Sequence, residues 1–336
     1  MKKTIKINFR DFWEGFNSEK NYFIDALREN YNVVVSDNPD YMFYSVYQKE
    51  GKKRDISGKG DFIRRISPML YVFIRQVYIK LFNKKVKVNT PEGDFVKILY
   101  SAENVVPNMD ECDWALSTYF EKVINHPNHI RVPMFIVFDC SLQGKISIPY
   151  KRKINFNKIK KEKTRFCNFI YSQDINKRND FFKELSKYKH IDAPGRCMNN
   201  MPPISRESPK ASRTSEDWVK TKLDFIKPYK FTIAFENEVS DGWTTEKLVH
   251  PFLVNSIPIY VGNKKVGMDF NTKSFINYSD FESMEEFIQH IIEVDNNDKL
   301  YRQYLEQPVF NTKEQHYFAS NNRVVNKFKE IIESKK

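Results

Sequence analysis

Glycine is scarce in this 336-residue chain, at ten residues. Neither a G-x-G-x-x-G loop nor a G-x-x-x-x-G-K-[ST] loop occurs in it. Both motifs depend on glycine, because backbone without Cβ can close around a phosphate. Their absence disfavours the ordinary dinucleotide and P-loop sites. Cysteine is sparser still: Cys112, Cys140, Cys167 and Cys197 stand far apart with no C-x-x-C pair. That spacing favours lone thiols over a metal site or a disulfide framework. No apolar run reaches the roughly twenty residues that cross a bilayer; the nearest candidate, 62–82, is interrupted by Arg75. The opening residues 1–13 carry lysines but no long apolar region and no small-residue cleavage site. They do not read as a signal peptide, and a cytoplasmic location is the expectation. Acidic residues are in the minority, 43 against 55 Lys and Arg, for a net charge of +12.

A positive balance implies an anionic partner: nucleic acid, a membrane surface or a phosphorylated substrate. The basic residues spread along the chain, with local excesses at 49–87 and 151–165. No helix-turn-helix, RRM or zinc-finger pattern accompanies them, so a phosphate-handling enzyme with a basic flank is favoured over a nucleic-acid binder. Hydrophobic residues at 40% and aromatics at 15% mark a globular chain. Its length suits two domains, each with its own core.

Taken in order, Ile5–Phe9 alternates as a strand, 22–31 has the apolar spacing of a helix, and 32–36 and 41–46 read as further strands. This β-α-β opening begins a doubly wound domain over 1–150, with an irregular basic and aromatic insertion at 48–92. The 62–82 segment reads as a core-facing helix with a solvated basic side; peripheral contact with an anionic membrane is the alternative. The charged run 151–163 reads as a linker. A second α/β domain is expected over 164–310, then a helical tail over 311–336. A serine-rich polar connection runs from Pro202 to Lys222.

Three places carry chemistry. The stretch 231–262 reads as strand, loop, helix, strand: Phe231 to Phe235, then Thr244 or Thr245 as helix cap, then Ile257 to Val261. In open α/β sheets, ligands sit where strands end and helices begin. Lys247 on that helix suits a phosphate-bearing ligand, and Glu246 can accept hydrogen bonds from sugar hydroxyls. Strand 96–100 delivers Glu103 at its carboxyl end, where a general base is commonly placed. By itself Glu103 reads as a solvated loop carboxylate or a capping residue rather than a base. Arg178 follows a strand at the start of a helix, where a guanidinium can grip a pyrophosphate in bidentate fashion. Its position does not help the helix dipole, a hint of ligand duty.

The order of these residues also carries a resemblance. Phe235-Glu236-Asn237, an aromatic six residues on at Trp243, Thr245-Glu246-Lys247 and Ile257-Pro258-Ile259-Tyr260 resemble the donor-site signature of the Lewis-type α1,3/1,4-fucosyltransferases, glycosyltransferase family 10. Glu103-Asn104-Val105-Val106-Pro107-Asn108 resembles that family's acceptor-domain motif, and Arg178 through Asn200 follows its pattern as well.

The resemblance implies an α/β protein of GT-B type, two Rossmann-like domains facing across a cleft. The amino-terminal half would bind an oligosaccharide acceptor and the carboxyl-terminal half GDP-fucose. It implies inverting transfer of fucose from GDP-β-L-fucose to N-acetylglucosamine or glucose of an N-acetyllactosamine- or lactose-type acceptor. Bacterial Lewis-antigen decoration of lipopolysaccharide is one such setting. Glu103 would be the general base. Arg178 and Lys247 would meet the charge growing on GDP, and Asn237, Trp243 and Glu246 would line the nucleotide sugar. Trp243 stands where relatives often have tyrosine. The chain has no D-x-D triplet, the metal–diphosphate clamp of the other large glycosyltransferase class. A reaction without a required cofactor is therefore expected, with Mn2+ or Mg2+ stimulation left open. The alternatives are a GT-B transferase with another nucleotide-sugar donor, and a basic nucleic-acid- or membrane-binding protein without catalysis.

Overall fold

The computed structural model describes residues 2–13, 16–47, 70, 74, 90–101, 105–140, 148–204 and 216–334. Glu103 and almost all of 48–92, with its 62–82 segment, lie outside the described residues. The chain divides into two units, each built on a wholly parallel sheet.

The first unit comprises Met1–Lys145, Ser240–Trp243 and Ser320–Lys336. Its strands are β1 (Thr4–Arg10), β2 (Asn32–Val35), β3 (Tyr41–Ser45), β4 (Val96–Tyr100), β5 (Trp114–Ser117) and β6 (His129–Arg131). They pair in the order β2-β1-β3-β4-β5-β6. Alternation along β1 places Ile5 and Ile7 in the core and the intervening Lys6 outside. Helix Tyr22–Arg28 makes the first crossover, capped by Asn21, whose side chain accepts from Phe23 N and Ile24 N at 3.0 and 3.1 Å. Phe23 then packs on Phe43 of β3, with ring centroids 5.4 Å apart. Helix Asn321–Ser334 covers the same region: Phe328 lies 6.3 Å from Phe23, and Tyr41 donates to the Ile332 carbonyl at 3.1 Å. The expected tail is thus two helices, of which Lys313–Phe318 groups with the other unit.

The strand order of this unit reverses between β1 and β3, which opens a crevice at their carboxyl ends. There Tyr47 N donates to Asp11 O at 2.9 Å, and the Trp13 and Tyr47 rings lie 6.2 Å apart edge to face. The aromatic loop therefore sits at the position where this architecture ordinarily holds a ligand.

The second unit comprises Ile146–Val239 and Thr244–Ala319. Its strands are β7 (Arg165–Asn168), β8 (Ile191–Asp192), β9 (Tyr229–Phe235), β10 (Ile257–Val261) and β11 (Ile276–Asn277). They pair in the order β11-β10-β9-β7-β8. Counted within the unit this is 2-1-3-4-5, a doubly wound order whose switch point lies between β7 and β9. Helix Asn176–Ser186 buries Phe181, Phe182 and Leu185 against the sheet. Each such side chain stabilises the fold by about 1.5–3 kcal/mol relative to leaving it in water.

Two stretches differ from their sequence reading. Residues 151–163 belong to this unit and carry helix Phe156–Glu162. Ile159 is buried, with Ile154 and Phe156 against the same core. Lys163, buried, donates to the Lys227 and Val254 carbonyls at 2.5 and 2.6 Å. A composition dominated by lysine hides the few apolar positions that anchor the segment. The polar connection from Pro202 likewise ends early, because helix Glu216–Ile226 already includes Lys222 and buries Val219. Among the described residues no helix is long and apolar enough to cross a membrane.

Candidate active site

At the switch point of the second unit, the loop after β7 and the loop after β9 come together. Tyr171 is fixed first. Its hydroxyl accepts from Phe235 N at 2.7 Å and lies 2.9 Å from the Ile233 carbonyl, to which it donates. The ring becomes a shelf for Arg178, whose guanidinium carbon lies 3.7 Å from the ring centroid. Arg178 is the third residue of its helix rather than the first. Its Nη1 donates to Asn237 Oδ1 at 3.0 Å, and its Nη2 donates to the Gln173 carbonyl. The Nε–H is buried without a partner. Burial pulls the Arg178 pKa down, against the opposing influence of Tyr171 and nearby acids.

Gly195, in the loop after β8, allows this packing. A Cβ there would stand 2.1 Å from the Tyr171 carbonyl oxygen and 2.7 Å from its nitrogen. No side chain fits in that space.

On the other side of β9, the chain re-enters the unit at Thr244 and starts helix Glu246–Leu253. Thr245 is the cap: its hydroxyl accepts from Lys247 N at 3.4 Å. Lys247 Nζ lies 3.1 Å from Thr245 Oγ1, 3.4 Å from Glu236 Oε2 and 3.9 Å from Glu246 Oε1. Glu246 also faces Lys222 Nζ at 3.9 Å. Burial alone would raise the Glu246 carboxyl, but Lys247, Lys222 and His250 bring it down to about 2. Lys247 shows the converse balance: burial lowers its pKa, and Glu246 and Glu236 more than restore it, so the net shift is upward. Lys247 therefore stays a cation, within electrostatic reach of Arg178.

The unit thus brings together Arg178, Asn237, Glu246 and Lys247, four of the six residues singled out in the sequence. Trp243 is buried but belongs to the first unit, with the segment Ser240–Trp243. Glu103 lies outside the described residues; the strand that precedes it, β4, lies within the first sheet, between β3 and β5. Sequence reasoning missed Glu236, Thr245 as more than a cap, Tyr171 and Lys222. Glu236 was visible as the middle of Phe235-Glu236-Asn237, but a carboxylate beside a strand end gives no sign of being wholly buried. Among the described residues no group of three His, Cys, Asp or Glu side chains is placed to hold a metal ion.

Two cations and a bound amide facing a helix N-terminus suit a diphosphate, and an acid beside them suits hydroxyls. The similarities to known proteins span the second unit and the start of the first. The family model described as glycosyltransferase family 10 (fucosyltransferase) C-term matches residues 159–331, and that of the α-(1,3)-fucosyltransferase FucT N-terminal domain matches residues 7–57. The chain is similar to the α-(1,3)-fucosyltransferase FucT of Helicobacter pylori, 26% identical over 258 residues, covering 71% of this chain and 53% of that one. It is also similar to the human GDP-fucose protein O-fucosyltransferase 3, 28% identical over 196 residues, covering 56% and 39%. The chain spans about half the length, or less, of the curated relatives it matches. A solved α1,3-fucosyltransferase with GDP-fucose shares the fold, with a TM-score of 0.68 at 19% identity over 100% of this chain and 92% of that one.

Proposed function

Because this chain belongs to glycosyltransferase family 10, the fucosyltransferases, we propose that it transfers fucose from GDP-β-L-fucose to a hydroxyl of an oligosaccharide acceptor. The observation that carries the reading is the convergence of Arg178, Asn237, Glu246 and Lys247 at one switch point. A GDP diphosphate there meets two cations and a helix N-terminus, and the sugar hydroxyls meet Glu246.

In this reading the acceptor hydroxyl attacks C1 of fucose from the face opposite GDP, with inversion. The C1–O bond to the diphosphate breaks, and GDP leaves with the electron pair. The transition state is oxocarbenium-like, so negative charge grows on the departing diphosphate. Fixed cations there stabilise it without reorganisation, and removing one such group typically costs about 3 kcal/mol. Glu103 takes the acceptor proton as general base. The acceptor class proposed is N-acetyllactosamine or lactose, at the 3-hydroxyl of its N-acetylglucosamine or glucose. The aromatic loop with Phe12 and Trp13 supports a sugar-binding role for the first unit, since aromatic faces stack on sugars. The reaction requires no metal cofactor, its cations being supplied by the protein, and runs in the cytoplasm, a reading that the missing D-x-D triplet and the cysteine spacing support.

The test is GDP release from GDP-fucose with and without N-acetyllactosamine, together with thermal stabilisation by GDP. Acceptor-dependent release and a raised melting temperature are expected. GDP stabilisation with no release from GDP-fucose, but release from another GDP-sugar, would reassign the donor. No stabilisation by GDP would remove the reading.

A further inference from the structure

We propose that Glu236 is a positioning residue for the transfer: through Thr245 it holds the Lys247 ammonium where the leaving diphosphate needs it. The inference rests on the donor-site reading above.

Glu236 follows β9 directly, and its backbone N–H donates to Val261 O at 2.8 Å, continuing the sheet. Its side chain is wholly buried. A buried carboxylate is costly unless its oxygens are satisfied, and here they are satisfied by the start of the helix that carries Lys247. Oε1 accepts from Thr245 N at 2.8 Å; the Thr245 hydroxyl lies 3.0 Å from Oε1 and 2.8 Å from Oε2. A threonine hydroxyl has one proton to give. With that proton directed at Glu236, the Thr245 oxygen is left as an acceptor, and it receives Lys247 N at 3.4 Å and Lys247 Nζ at 3.1 Å. Lys247 Nζ also reaches Glu236 Oε2 directly at 3.4 Å. The ammonium is therefore held at two points, one of them polarised by the other.

Room for this carboxylate is made by Gly262 at the end of β10. A Cβ there would stand 2.7 Å from Glu236 Cγ and 2.4 Å from the Tyr260 hydroxyl. Lysine has a flexible four-carbon stem with much rotamer freedom to lose. Fixing it before the nucleotide arrives makes its charge available in the transition state without a search. The charged groups around Lys247 are Glu236, Glu246 and Arg178, and the phenols of Tyr171 and Tyr260, kept neutral by burial, lie near Glu236. Glu236 and Glu246 favour the ammonium, and Arg178 opposes it.

The experiment compares wild type with Glu236→Gln, Thr245→Ser and Thr245→Val in steady-state turnover of GDP-fucose across pH. Glu236→Gln keeps the size and one hydrogen-bonding oxygen but removes the charge. Expected is a fall in kcat of about tenfold or more, toward the loss seen when one fixed electrostatic group is removed, with the KM for GDP-fucose changed much less. The alkaline limb of kcat is expected to move to lower pH, because Lys247 loses one of its two neighbouring carboxylates while Arg178 remains. Thr245→Ser, which keeps the hydroxyl, is expected to lose much less kcat than Thr245→Val, and Thr245→Val repeats the loss and the shift. A folded Glu236→Gln with wild-type kcat and an unmoved alkaline limb overturns the inference. So does a loss of stability and of kcat together without any shift of that limb. If Glu236→Gln does not fold, Thr245→Val decides in the same way. A wild type that neither binds GDP nor turns over removes the donor reading and this inference with it; an active wild type with a silent Glu236→Gln removes the inference alone.

Discussion

Arg178 Nη1 donates to Asn237 Oδ1 at 3.0 Å and so ties the helix after β7 to the loop after β9, across the switch point of the second sheet. The bond fixes one edge of the guanidinium, the Tyr171 ring supports its face, and Nε remains unpartnered. Arg178→Lys keeps the charge but loses the planar fork and the stacking. We expect kcat/KM for GDP-fucose to fall by about a hundredfold, with GDP binding by calorimetry weakened in the same variant. Full activity in Arg178→Lys would mean that a point charge suffices and that the fork has no role.

Asn237→Asp tests the same bond from the other end. A carboxylate in place of the amide oxygen would hold Arg178 more tightly and offset its charge. GDP should then bind more weakly than to wild type, while the melting temperature of the free protein stays level or rises. Tighter GDP binding in Asn237→Asp would contradict the assignment of Arg178 to the diphosphate.

These two residues also show how far the sequence could be read. Glu246 and Lys247 are legible from the strand-loop-helix plan that apolar runs and capping residues reveal, and Arg178 from its place at a helix start, whereas Asn237 is legible only through the family's Phe-Glu-Asn pattern. Strand β4 is legible at its observed limits, 96–100, from its apolar run. What was hidden depends on distance rather than order. Nothing local says that Gly195 must lie against Tyr171, that Lys222 faces Glu246, or that Glu236 lies wholly inside. Residues 151–163 were hidden differently: a lysine-rich helix that buries Ile159 has the composition of a linker. Ser240–Trp243 groups with the first unit although Glu246, three positions on, groups with the second. No periodicity announces such a crossing.

Gly195→Ala should weaken the site without touching any charged residue. The added methyl would stand 2.1 Å from the Tyr171 carbonyl oxygen, backbone that cannot rotate aside. Either the loop after β8 moves or the Tyr171 shelf does. Expected are a lower melting temperature and a several-fold weaker GDP affinity, of the order produced by small-to-large changes costing about 1–3 kcal/mol. Unchanged GDP affinity would show that the shelf tolerates displacement and that Arg178 does not depend on it.

The first unit carries a pH dependence of its own. His129 on β6 is buried, with Nε2 2.7 Å from Ser117 Oγ and Nδ1 left without a partner. Burial, then the positive charges of Arg131, His126 and Arg323, lower its pKa to about 3. In the unfolded chain a histidine titrates near 6.5. Below that pH the unfolded chain takes up a proton that the native state refuses, so unfolding becomes easier as pH falls. Native stability from this group is complete above about pH 6.5 and is lost progressively down to about pH 3, by about 1.4 kcal/mol per pH unit. His129→Gln keeps a polar partner for Ser117 but cannot titrate. Urea midpoints at pH 7 and pH 5 should therefore differ less in His129→Gln than in wild type, with the gap arising at pH 5. The carboxylates contribute their own acid sensitivity to both proteins, so the comparison rests on the difference between them. An equal drop in the two proteins would show that His129 takes up its proton in the native state as readily as in the unfolded chain, which contradicts the lowered pKa.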